Sequence, residues 1–535
     1  VRTLRLGVDV GSTNTDAAVV DRDGTVVARH KAVTSGDLMT GIRQALSAVL
    51  AEVDRRAVAR LVLGTTQAVN AIVERRMLAR VGVLRIGAPA TSLVPPFTGW
   101  PGDLVDVVGG PVAMVRGGHE YDGGEIAPLD EEAVTAFAAA CAGRADAVAV
   151  AAVGSATNAD HEQRAVDILD RLLPAGTVTA GHRVGGLGLI ERENAAILNG
   201  ALTGVTAGLL RGLGAALREM DLQCDTYLTE NDGTLLTADR AARYPVRTIA
   251  SGPTNSMRGA HHLSGLDDAV VVDVGGSSTD VGVLSGGFPR VSTMPTEIGG
   301  VRTNYRLPDL ISAALGGGSV VRPASGGGFA VEGGFAVGPE SVGAAIGTEA
   351  LIFGGPVLTL SDVSVAAGRT AFGTVPAPDL PVDAATAAAV VASVDRRLAE
   401  LTDRLRASRT TLPLVAVGGG AHLVPDELPG IRAVVRPADG AVANAVGAAV
   451  AEASGTVHQV YRFDVTSRQA CLDEARRLAH EAAVRAGAAP DRVRITRISE
   501  VPLAYLPGDS ARVVVTAVGP LADALPHDHQ GSVGS

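Results

Sequence analysis

The chain has 535 residues and carries 46 Lys and Arg against 57 Asp and Glu, a net charge of −11. No stretch combines clustered basic residues with stacking aromatics, which excludes a nucleic-acid surface and favours a small-molecule ligand. Hydrophobic residues make up 46% but aromatics only 3%, so the cores of the two or three domains that this length allows are built mostly from Ala, Val and Leu. Cys141, Cys224 and Cys471 stand far apart without a C-x-x-C pair, which argues against a disulfide framework or a thiolate zinc site and fits a reducing cytoplasm. The N-terminus enters an apolar strand directly and the apolar runs elsewhere are interrupted early, so neither an export signal nor a membrane span is expected.

Leu6 to Val10 is an apolar run containing Asp9, followed by Gly11, Ser12, Thr13, Asn14, Thr15 and Asp16. This reads as strand, tight turn, strand. Glycine permits close backbone approach, the hydroxyls offer donors to phosphate oxygens, and an Asp at the strand end can hold Mg²⁺. Residues 26–33 read as a third strand, about 37–52 as a helix and 60–63 as a strand. Gly64, Thr65, Thr66 and Asn70 form a strand-to-helix junction, equally readable as a ligand-facing helix start and as a plain helix capped by Thr66. Residues 95–128 are rich in Gly and Pro. His119 and Glu120 lie there without a second His one helical turn away, so a surface hairpin is expected and not a zinc site. A strand at 148–153, a helix at 158–173 and a strand at 176–180 complete a first lobe of residues 1–182.

A long helix is expected from Leu189 to about Met220. Glu193, Asn194 and Asn199 are unusual polar residues in it, placed either in solvent or on an inward face over a cleft. Residues 250–256 read as a tight turn before a further helix. Asp273, Gly275, Gly276, Ser277, Ser278, Thr279 and Asp280 then repeat the first hairpin. The glycine-dense residues 316–341 read as short strands. An apolar run at 414–417 enters Gly418, Gly419 and Gly420, a turn able to lie against an adenosine ring, and residues 440–449, including Asn444, form a small-residue helix able to pack closely on a neighbour. This second lobe covers residues 183–453. Residues 454–525 read as a small α+β extension and 526–535 as a disordered tail.

Two phosphate hairpins followed by an adenosine turn resemble the α/β actin-like (ribonuclease H-like) ATPase fold, in which two lobes face each other across a nucleotide. Together with Gly64-Thr65-Thr66 and Asn70, the helix start at 191–199, Ser251-Gly252-Pro253, Gly316 to Ser319, Val337 to Gly343 and Thr359 to Val363, the chain is similar to the hydantoinase A / 5-oxoprolinase family. That resemblance implies ATP-dependent opening of a cyclic amide, of hydantoin, 5-oxoproline or lactam type, through phosphorylation of the ring carbonyl. It implies ATP and Mg²⁺ as cofactors and a hydantoinase B-like partner in a homo- or hetero-oligomer. Under it, Asp9 and Asp273 hold the metal and act in catalysis with Thr13 and Thr279. Gly11, Ser12, Thr13, Asn14, Thr15, Gly275, Gly276, Ser277, Ser278, Gly418, Gly419, Gly420 and Asn444 surround the nucleotide, and Thr65, Thr66, Asn70, Asn194 and Ser251 contact substrate.

Two departures bear on the substrate. Ile311-Ser312 stands where many members carry His-Thr, and residues 346–351 replace a Pro-Gly-Pro-x-Cys-Tyr-Gly stretch, so a site relying on that His or Cys is absent. Alternative readings are a small-molecule kinase of the same fold, with Asp16 or Asp280 as base, and the ATPase subunit of a carboxylase or of a partner-remodelling complex.

Overall fold

A computed structural model describes residues 2–11, 13–33, 38–292, 296–305, 307–324, 328–331, 334–406, 411–504 and 508–522. Ser12, the first residue of the expected helix at 37–52, part of the glycine run at 326–328 and the expected tail at 526–535 lie wholly or partly outside them.

The first sheet begins with the antiparallel meander Leu4–Val10, Asn14–Val20 and Val26–Val33, and Val58–Thr65 then pairs parallel to the first strand. Asp225–Thr229 continues it in parallel beside Val58–Thr65. The second sheet repeats this order. Ala269–Val274, Thr279–Ser285 and Phe288–Pro289 form the meander, and Leu412–Val417 and Ile431–Val435 add parallel strands on the other side. Ala269–Val274 is buried along most of its length and reads as a near-continuous run of Val, whereas in Leu4–Val10 the buried Leu and Val alternate with Arg5, Gly7 and Asp9.

Between the first meander and the long helix lies a separate parallel sheet in the order Gly109–Arg116, Val81–Ala88, Ala147–Ala152, Val178–Ala180. The helix Leu189–Glu219 joins it to the first sheet. Ala195 to Val205 pack with Val81 and Ala147 of the inserted sheet, whereas Leu209, Leu213 and Leu217 pack with Leu6 and Leu61 of the first. By length and composition this helix could cross a membrane, but half of its apolar window is buried inside the fold.

Sheet membership crosses the divisions read from the sequence. Asp225–Thr229 and Leu235–Thr237, expected within the second lobe, belong to the first sheet. The strands Ala453–Arg462, Arg494–Pro502 and Ser510–Gly519, expected as an appended unit, extend that same sheet beyond Leu235, giving nine strands. An uncovered edge at Leu235–Thr237 would expose unpaired backbone groups, and the C-terminal strands cover it. Their helix, Arg468–Arg485, packs on them through Ala475, Ala479 and Ala483.

The lobes meet through two helices of small residues. Ser251–Ser264 lies on the second sheet through Met257 and Ala260, and Ala443–Ala449 lies on the first through Ala445, Val446 and Ala449. Residues 251–256, expected as a turn, already belong to the helix. Pro253 is tolerated because the first-turn N–H groups have no helical acceptor. Where the helices cross, backbone lies on backbone: a Cβ on Gly259 would meet Ala443 O and one on Gly447 would meet Asn255 O. Gly447→Val is therefore expected to destabilise the chain by about 1–3 kcal/mol through overpacking. Urea unfolding tests this, and a loss below about 0.5 kcal/mol, the scale of a surface change, would contradict it.

Candidate nucleotide site

Both hairpins close with the same bond, Gly11 N–H to Asn14 O at 3.0 Å and Gly275 N–H to Ser278 O at 2.8 Å. Thr13 and Ser277 then meet across the gap, their hydroxyls 3.4 Å apart. Register places Asp9 opposite Asp16 and Asp273 opposite Asp280, so each hairpin presents two carboxylates to one cleft. The cleft is also lined by Lys31, Thr66, Gly252, Ser256, Gly418, Gly419 and Asn444.

The donors that hold three of these carboxylates are neutral. Asn255 Nδ2 donates to Asp9 Oδ1 at 2.8 Å, and Asn444 Nδ2 donates to Asp9 Oδ2 at 3.1 Å and to Asp16 Oδ2 at 2.9 Å. Ser256 Oγ donates to Asp273 Oδ2 at 2.5 Å, and Ser312 Oγ donates to Asp280. Among the described residues, Asp16 is the carboxylate of the four that pairs with a cation, Lys31 Nζ lying 2.6 Å from Oδ1. Burial pushes the carboxyls of Asp9 and Asp280 up to about 6, against the donors that pull them down, and moves Asp273 in the same direction. Four carboxylates facing one ammonium leave a deficit of positive charge, which a divalent cation would fill and which hard oxygen ligands suit.

Glycine is required where backbone approaches the site. A Cβ at Gly276 would press on Thr13, one at Gly418, whose φ is +86°, would strike Asp273, and one at Gly64 would strike Asp9 and Asn255. The segment at 316–318 braces the second hairpin, with Gly317 N–H donating to Gly275 O at 3.0 Å and Gly318 N–H to Gly276 O at 2.7 Å.

The sequence-expected residues divide. Asp9, Gly11, Thr13, Asn14, Thr66, Asp273, Gly275, Gly276, Ser277, Ser278, Gly418, Gly419 and Asn444 line the cleft. Thr15 and Thr279 are buried in their strands, and Thr279 Oγ1 donates to Leu315 O at 2.5 Å. Gly420 shapes the triple-glycine turn by donating its N–H to Val274 O at 2.7 Å. Ser251 and Thr65 are buried on each other, with Ser251 Oγ accepting from Thr65 N–H and donating to Thr65 O. Asn70 reaches back to Thr66 Oγ1 at 3.4 Å. Asn194 spends both ends of its amide inside the fold, accepting from Trp100 Nε1 at 2.9 Å and donating to Arg302 O at 2.8 Å. Glu193, beside it, forms a buried ion pair with Arg85. Thr66 makes no side-chain cap at the helix it precedes.

Lys31 and Ser256 went unnoticed in the sequence, and Asp16 and Asp280 were weighed only as kinase bases. Two signals were available. Each hairpin repeats Asp at the same separation, 9 to 16 and 273 to 280, and Lys31 is the only lysine of the chain.

His119, expected on a surface hairpin, is buried, and its side chain lies with those of Asp160 and His161 within 4.8 Å. The fold engages both ring nitrogens of His161. His161 Nδ1 accepts from Gly118 N–H at 2.9 Å, so its proton sits on Nε2, which donates to Glu125 Oε1 at 2.7 Å. The ring's one lone pair is thus taken by Gly118 N–H.

Two sheets of one strand order, joined by crossed helices and presenting paired hairpins to a common cleft, define an actin-like two-lobed fold. Residues 5–173 match the hydantoinase/oxoprolinase N-terminal region and residues 192–389 match hydantoinase/oxoprolinase. The chain belongs to the hydantoinase/oxoprolinase family. It is 28% identical over 404 residues to caprolactamase subunit alpha from Pseudomonas jessenii, which covers 69% of this chain and 55% of that protein. The chain thus spans about half the length of that curated relative. Among solved structures, the ATP-dependent caprolactamase from Pseudomonas jessenii superposes with a TM-score of 0.73 at 21% identity, covering 99% of this chain and 90% of that one. Nucleotide-free acetone carboxylase superposes with a TM-score of 0.67 at 19% identity, covering 97% and 88%.

The buried carboxyls have a measurable consequence. Asp9 holds a proton in the folded chain at pH values where the unfolded chain has lost it, so this stabilisation is complete below the ordinary value of 3.8 and is lost as pH rises through about 6. In EDTA, the stability of the wild type relative to Asp9→Asn should fall by up to about 3 kcal/mol across that range, and Mg²⁺ should offset the loss above it. Thermal unfolding against pH tests this, and parallel curves for the two proteins would contradict it.

Proposed function

We propose that the chain is the ATP-using component of an enzyme that opens a cyclic amide. The observation that carries this is the pair of facing hairpins with four carboxylates on one cleft, in a chain related to a caprolactamase subunit. Asp9 and Asp273 would hold Mg²⁺, the two hairpin turns with the hydroxyls of Thr13 and Ser277 would face the phosphates, and Gly418 and Gly419 would border the adenosine. Bound there, ATP and Mg²⁺ supply a phosphoryl group that turns the amide oxygen into a leaving group and the charge that balances its transfer.

The protein's part is alignment. Asn444 bridges Asp9 and Asp16, fixing two carboxylates of the first hairpin from the helix that joins the lobes. Ser256 fixes Asp273 from the partner helix. Lobe movement about the helix crossing would thus act on both hairpins at once.

Asn194 and Ser251, expected on substrate, are engaged elsewhere, which leaves Thr66 as the expected substrate residue on the cleft. The amide therefore belongs near Thr66 and Gly252. A second subunit, as the designation alpha of the caprolactamase relative indicates for that protein, would complete the hydrolytic half.

Phosphate release from ATP with Mg²⁺, measured across hydantoins, 5-oxoproline and lactams, with and without a hydantoinase B-like subunit, tests the proposal. One cyclic amide should stimulate release with stoichiometric ring-opened acid, and Asp9→Asn and Asp273→Asn should each lose about 10²-fold or more. Near-normal turnover in both variants, or a stable phosphorylated product, would overturn it.

A further inference from the structure

Arginine serves nearly every basic position in this chain. Of its 46 Lys and Arg, one is lysine. Forked guanidinium contacts to carboxylates recur, as in Arg85 with Glu193, Arg369 with Asp395 and Arg494 with Glu452. A carboxylate in need of a cation is therefore ordinarily given arginine here. Two residues before Lys31, on the same strand, Arg29 pairs with Asp439. The exception falls in the cleft.

Position 31 differs in what surrounds it. Lys31 stands opposite Asp16 in the strand register and pairs with it at 2.6 Å. Its charge also reaches Asp273, on the facing hairpin, whose carboxyl it draws down against the burial that raises it. The side chain is 32% exposed while that of Asp16 is 4% exposed, and Lys31 lines the same cleft as the four carboxylates. An ammonium is a compact charge with three rotatable donors on a flexible stem, whereas a guanidinium is a planar fork suited to one fixed bidentate partner. A cation that must leave one anion for another in a narrow space is served by the first and hindered by the second.

We infer that Lys31 is a catalytic cation that turns from Asp16 onto the terminal phosphoryl oxygens of the bound nucleotide, leaving Asp16 to Asn444. The inference rests on the nucleotide reading given above. In the transfer, the bond from the terminal phosphorus to the bridging oxygen breaks, its electron pair stays with the diphosphate, and a new bond forms to the acceptor oxygen. Lys31 keeps its proton throughout and balances charge on the oxygens in flight.

Having one lysine makes the test direct. The full chain is treated with an amine-acylating reagent, and the rate of Lys31 modification is followed by peptide mass spectrometry, with the α-amino group as internal reference. Mg²⁺ with β,γ-imido-ATP should slow modification at least about tenfold near saturation, and Mg²⁺ with ADP should leave it nearly unchanged. Equal rates with both nucleotides, when calorimetry shows both bound, would overturn the role of Lys31 and leave the nucleotide site standing. Absence of binding by calorimetry would overturn the nucleotide reading and this inference with it. As a second arm, Lys31→Arg keeps the charge and should lower kcat about 10²-fold with KM for ATP changed less than about threefold. A Lys31→Arg protein with wild-type kcat would overturn the inference.

Discussion

Four carboxylates brought to one cleft by two hairpins, with a single ammonium among them, is the arrangement on which the rest of the molecule depends. Charges of one sign do not gather at partial burial without compensation, and here neutral amides and hydroxyls supply the contacts while Lys31 supplies the one cation lining the cleft among the described residues. Protonation near pH 6 relieves part of that repulsion in the free chain. Under the proposed function, a metal–nucleotide complex would relieve it differently, by bringing cation and phosphate together into the space between the hairpins.

The donors that hold the carboxylates come from the two helices that join the lobes. Asn255 and Ser256 stand on one and Asn444 on the other, while Gly259 and Gly447 let those helices touch through their backbones. A change in the angle between lobes would therefore move donors and carboxylates together. This couples lobe closure to the charge balance of the site without a separate switch element. The nine-stranded first sheet and the long helix beneath it give the first hairpin a rigid base, and the 316–318 segment braces the second.

Much of this was legible in the sequence because phosphate hairpins are local. The Asp, glycine and hydroxyl residues of each hairpin lie within a few residues of one another, and the triple glycine at 418–420 marks its own turn. What stayed hidden depends on pairing between distant segments. Lys31 acquires meaning only when the strand register places it against Asp16, and the roles of Ser251 and Asn194 emerge only when Thr65, Trp100 and Arg302 are brought beside them. Motif proximity put both residues near the ligand, whereas burial and satisfied hydrogen bonds put them in the scaffold. Strand membership failed for the same reason, since Asp225–Thr229 follows the long helix in sequence but returns to the first sheet in space.

The central claim, that the paired hairpins grip one nucleotide between the lobes, is tested most directly by a crystal structure of the chain with Mg²⁺ and β,γ-imido-ATP. The account predicts the triphosphate between the turns at 11–14 and 275–278, the metal beside Asp9 and Asp273, and the base against Gly418 and Gly419. A nucleotide bound elsewhere, or one touching a single hairpin with the other turned away, would contradict it.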